Sequence, residues 1–144
     1  MTHTYLFWPG VWTAEGTYWD DQARPIKAVG RSEVLHERKG WRLKGSLTAL
    51  TASPVTFVNE YLIEPFPPGA DYTPWTSRNP ALGTLQGWFV LIESAMLSHF
   101  VSENGTYAGL ERLGMVSPNE YVVEGSLFHV EKKLSSWKMT LRRE

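Results

Sequence analysis

The sequence predicts an all-β domain built as one antiparallel up-and-down barrel of about 8–10 strands. Three observations lead there. Short segments alternate apolar and polar residues with a period of two. Gly, Pro, Asn and Asp interrupt them at short intervals, and hardly any stretch carries a convincing helical period.

Residues 1–9 read as a short arm capping one end. Residues 11–19 form a first strand closed by Asp20-Asp21. Residues 26–37 place Ile26, Ala28, Gly30, Ser32, Val34 and His36 on one face, against Lys27, Arg31, Glu33 and Glu37. After the turn at Glu37–Gly40, residues 41–51 alternate Trp41, Leu43, Gly45, Leu47 and Ala49 against Arg42, Lys44, Ser46 and Thr48. Residues 55–64 put Val55, Phe57, Asn59, Tyr61 and Ile63 on one face. Residues 65–84 hold five prolines and are predicted as a long loop, of the kind that often serves as a lid or mouth. Four strands follow near 85–93, 96–103, 106–113 and 120–131, and residues 134–143 form the last. In 85–113 two alternations compete, so the inward face stays open there. Glycines inside strands, such as Gly87 and Gly125, suit the coiling that barrel closure demands.

Composition narrows the function. The 144 residues read as one domain, long enough for a sizeable core. Lys and Arg total 14 and Asp and Glu 15, so there is no strong field for nucleic acid or an anionic membrane, and neither is an expected partner. There is no cysteine, which excludes disulfides, thiolate nucleophiles and thiolate metal sites. The N-terminus has neither a charged n-region nor an apolar core, so the expected location is cytoplasmic. Seven tryptophans suit a broad core or a site for a flat apolar ligand.

Gly10-Val11-Trp12 opens the first strand, and Ser136-Trp137-Lys138-Met139-Thr140-Leu141-Arg142-Arg143 ends the last. In these residues the chain resembles the lipocalin-like, or calycin, superfamily of barrels. The stretch Ser102–Glu111 is similar to hairpins in small microbial members. The resemblance implies that Trp12 plugs the closed end and that an arginine of the last strand packs across its ring. Parity selects Arg143 over Arg142, because Arg143 shares a face with Trp137, Met139 and Leu141. Lacking disulfides, the chain looks closest to cytosolic relatives, including haem-binding and fatty-acid-binding barrels. Haem-binding members carry a histidine near the last strand. Residues 134–137 have none, so haem is not favoured and no cofactor is predicted.

If the more apolar face of each strand points inward, few polar groups reach the interior. The candidate ligand-binding residues are His36, Trp41, Asn59, Tyr61, Tyr121, His129 and Trp137. No His-x-His or His-x-x-x-His spacing exists, so no metal site is predicted. The leading expectation is binding of a small hydrophobic or aromatic molecule in the barrel. The alternative is an isomerase, dehydratase or decarboxylase using an interior His36, His129 or Glu111. A third reading is a solid barrel that self-associates, as a homodimer, through strand edges or the aromatic loop. The loop aromatics Phe66, Tyr72 and Trp75 would form a lid, an outer-wall layer or a subunit contact.

Overall fold

The structure is a computed structural model that describes residues 2–144. It has ten strands: β1 (Gly10–Trp19), β2 (Pro25–Glu37), β3 (Gly40–Ala49), β4 (Val55–Ile63), β5 (Tyr72–Asn79), β6 (Gly83–Ile92), β7 (Ala95–Ser102), β8 (Tyr107–Ser117), β9 (Glu120–His129) and β10 (Lys132–Arg143). Every strand pairs antiparallel with its sequence neighbours, and β1 closes the ring on β10. The expected all-β, up-and-down barrel is therefore the fold, and no helix occurs among the described residues.

The tenth strand corrects the sequence reading of residues 65–84 as one loop. β5 lies inside that span, despite its proline. Pro74 is tolerated because its carbonyl accepts the Glu64 N–H at 3.2 Å, so its nitrogen faces the end of the β4 seam. The hydrogen bond that Pro74 cannot donate comes instead from Thr73 Oγ1, which reaches the Glu64 carbonyl at 2.7 Å. Pairing of β5 with β6 then runs through Pro74↔Trp88 without a break.

The competing alternations in 85–113 resolve in favour of Leu85, Phe89, Met96, Ser98 and Leu113, all buried inside. Trp88, Leu97 and Leu110 face out and are exposed. Long apolar side chains filled both faces of these strands, so period alone could not choose between them.

The ends of the barrel differ. At one end Trp12 is fully buried and stands opposite Arg143 in the β1–β10 register. The Arg143 guanidinium lies 6.0 Å from the Trp12 ring and 5.3 Å from Trp8, between two indoles. It also donates from Nη2 to the Pro9 carbonyl at 2.9 Å. Gly10 makes this approach feasible: a Cβ there would sit 3.1 Å from Nη2, and its φ of +152° suits glycine. Arg142 points out, toward Glu15 and Glu120.

The N-terminal arm seals the same end. Tyr5 and Leu6 are buried in the core cluster. The buried Tyr121 hydroxyl collects the Thr4 and Tyr5 amides at 3.1 and 3.3 Å and pairs with His3 Nδ1 at 2.9 Å. His3 Nε2 reaches the Glu93 carbonyl at 2.9 Å. Leu6 adopts φ 71°, a left-handed conformation that the burial of its side chain offsets. Among the described residues no such plug closes the opposite end.

Candidate functional site

Between the arm and the open end lies a cavity of about 300 Å³. Its wall is mostly apolar, with Leu43, Leu47, Phe57, Leu82, Phe100, Leu127 and Trp137 among the lining. The interior is therefore hollow along part of its length, and the solid-barrel reading fails.

Large rings pack against the inner face of the barrel because glycines on neighbouring strands make room for them. Trp75 stands opposite Gly87, Phe100 opposite Gly109 and Trp137 opposite Gly125. In each pair an added Cβ would meet the ring at 2.3–2.5 Å, so the ring occupies the space the glycine leaves. The aromatic thus lies along the wall instead of filling the lumen. At Gly109 and Gly125 this device gives the cavity flat apolar surface, from Phe100 and Trp137, and at Gly87 it seats Trp75 in the core.

The Trp137 indole crosses Gly125 and reaches the next strand, where Gly125 stands opposite Glu111. Trp137 Nε1–H donates to Glu111 Oε2 at 2.8 Å. Glu111 is half-buried, and it lines the cavity. Loss of bulk water holds its carboxyl above the ordinary carboxylate value, and the indole hydrogen bond opposes that only in part. Ser98 stands opposite Glu111 on β7. Burial likewise pushes up the phenols of Tyr5 and Tyr61, with Glu111 adding to both shifts, so both stay protonated at neutral pH.

The seven sequence candidates divide into two groups. Asn59, Tyr61 and Trp137 line the cavity. His36, Trp41, Tyr121 and His129 do not. His36 has inward parity, but it is exposed at the end of β2, beyond the closed rim. There it stacks on Trp41 at 4.4 Å and bonds the Leu6 carbonyl at 2.7 Å. Trp41 packs edge-on against Phe7 of the arm. Tyr121 is committed to holding the arm. His129 is exposed at the last position of β9, beside Tyr107. Parity assigned these four correctly to a face but carries no information about depth along the barrel axis, and all four lie at its rims.

Sequence reasoning offered Glu111 only as an acid–base candidate for the alternative reading and left its face open, because its strand had no clear inward alternation. The signal lay in register: Glu111, Gly125 and Trp137 stand in one cross-strand row. The aromatic loop does not form a lid over the open mouth. Phe66 packs on Phe7 at the closed end, Trp75 is in the core and Tyr72 is exposed beside Trp88.

The mouth itself is uneven. β4 and β5 pair only from Glu60↔Arg78 to Ile63↔Trp75. Beyond that stretch the Asn79 amide donates to Asn59 Oδ1 across the seam, while Asn79 Oδ1 caps the turn by accepting the Ala81 and Leu82 amides. Val55, Phe57 and Val58 continue past this bridge with no β5 partner and are exposed. The wall is therefore notched at the open end.

No protein-family model and no curated protein matches the chain. Among solved structures, it is similar to the S-type phycobiliprotein lyase CPES from Guillardia theta, with a TM-score of 0.68 at 8% identity, over 97% of this chain and 90% of that one. A hot-dog-fold protein of unknown function from Alicyclobacillus acidocaldarius gives a TM-score of 0.29 at 8% identity, over 94% and 78% of the two chains. An N-terminal dehydratase from the difficidin assembly line gives 0.28 at 8% identity, over 97% and 80%. The last two scores carry no weight, and the first shows a shared barrel fold.

Proposed function

We propose that the protein binds a small, flat, hydrophobic molecule inside a lipocalin-like barrel. The observation that carries this reading is the apolar cavity itself, walled by rings that lie over glycines and closed at one end by the arm. Burying about 200 Å² of ligand surface there contributes ~5 kcal/mol before the cost of immobilising the ligand. Asn59, Tyr61 and Glu111 supply the few polar groups that orient it. The barrel likeness to a phycobiliprotein lyase, whose name concerns a pigment-bearing protein, is in keeping with a small-molecule site.

Tryptophan fluorescence during titration with anthracene, a flat probe without polar groups, tests the reading. Saturable quenching at a stoichiometry of about one supports it. A wild-type protein that shows no saturable response contradicts it.

An acid–base enzyme is the second reading, and it narrows to one residue. Of His36, His129 and Glu111, only Glu111 faces the cavity. Burial raises its proton affinity, which is the direction of shift a general acid requires.

A further inference from the structure

We propose that the cavity selects planar lipophilic bases, whose ring nitrogen accepts a hydrogen bond from the Glu111 carboxyl while the fused rings lie on Trp137 and Phe100. This rests on the reading of the cavity as a small-molecule site and names the ligand's chemistry.

Glu111 has two oxygens and one protein partner. Oε2 accepts from the Trp137 indole, and Oε1 has no hydrogen bond among the described residues. Among the described residues no cation pairs with this carboxyl. Its neighbours in the wall are Ser98 on β7, Gly125 on β9 and Trp137 on β10. The other titratable side chains facing the cavity are the phenols of Tyr5, Tyr18 and Tyr61. Arg31 borders the cavity, but its side chain is exposed and shares the outward face with Lys27 and Glu33. Burial without a counter-charge raises the proton affinity of this carboxyl, and in its protonated form it is a hydrogen-bond donor.

The wall is organised around that donor. Gly125 leaves the space through which the indole reaches Oε2, and Glu111 lines the cavity beside that indole. An aromatic nitrogen base satisfies that O–H while its rings cover apolar wall. A carbocycle of the same shape leaves the O–H without a partner. An anionic amphiphile brings a second carboxyl into a lumen whose one bordering lysine or arginine, among the described residues, is the outward-facing Arg31, so the cavity discriminates against fatty acids.

Three probes of nearly equal shape separate these cases: acridine, anthracene and anthracene-9-carboxylate. The wild-type protein is expected to bind acridine about tenfold tighter than anthracene, with the carboxylate weakest. Glu111→Leu should bring acridine and anthracene within about twofold of each other while still binding anthracene. If that variant fails to fold, the wild-type protein provides the test alone. Its preference for acridine should fade as pH rises through the Glu111 titration, with anthracene affinity unchanged. Equal wild-type affinities, a preference that survives Glu111→Leu, or a preference that pH does not alter would overturn the proposal and leave the cavity reading standing. Failure of all three probes to bind the wild-type protein would overturn the cavity reading itself.

Discussion

At the scale of single residues, two side chains separate function from stability. Glu111 holds its proton more tightly in the fold than in the unfolded chain, because burial raises its pKa from an ordinary value of 4.5. Folded protein therefore binds more protons than unfolded protein above that value. Its contribution to stability is fullest at low pH and is lost as pH rises through the raised titration. Glu111→Gln should flatten that slope and leave the protein more stable than wild type at neutral pH, as denaturant unfolding across pH would show. Tyr121 is the opposite case. Its hydroxyl is buried and serves two amides and His3. Tyr121→Phe strands those groups and should cost about 1–3 kcal/mol without changing ligand affinity, measured by unfolding and by probe titration. Tyr121 could be assigned inward from parity, but its partners lie in a stretch without alternation, so its structural role could not be read from the sequence.

At the scale of elements, strand glycines and the terminal arm decide the architecture. The wall depends on a ring lying over a glycine, and Gly125 is the most sensitive position because the indole above it also holds Glu111. Gly125→Val should displace Trp137, redshift its emission and cost about 1–3 kcal/mol. The glycines were visible in the sequence as aids to closure. Their pairing with Trp75, Phe100 and Trp137 was not, because that depends on register across strands far apart in sequence. The Gly10–Trp12–Arg143 association was legible, since motif position and parity both pointed to it. The arm was legible only as a cap. Its buried Tyr5 and Leu6 and its bonds to Tyr121 and Pro118 make it part of the core. Removing residues 2–7 should lower stability by about 3 kcal/mol or more, seen as a large fall in Tm. β5 was missed because the five prolines of residues 65–84 outweighed its alternation. Pro74 lies just past Ile63↔Trp75, at the closed-end limit of the β4–β5 ladder, where its missing N–H is tolerated.

At the scale of the whole molecule, the barrel is a vessel with one stopper. The arm and the Trp12–Arg143 pair close one end, and the cavity opens toward the other, where the β4–β5 seam stops short. Ligand entry should pass this notch, so linking β4 to the β5–β6 turn should slow association and leave the affinity of the filled barrel little changed. The overall fold was legible because period-two patterning and turn residues act locally. The depth of each inward residue was not, because depth follows from strand stagger and closure, which are global. Gly45 tests the central claim, that an open apolar cavity in the barrel holds the ligand. It lines the cavity, and a Cβ there would meet no atom within 4 Å. A phenylalanine at this position would project into the lumen without disturbing the wall. The decisive measurement is the anthracene titration of wild type and Gly45→Phe side by side, with circular dichroism confirming an unchanged fold. Saturable binding by the wild type and its loss in the filled variant is the expected result. Equal binding by both would place the ligand elsewhere and contradict the account.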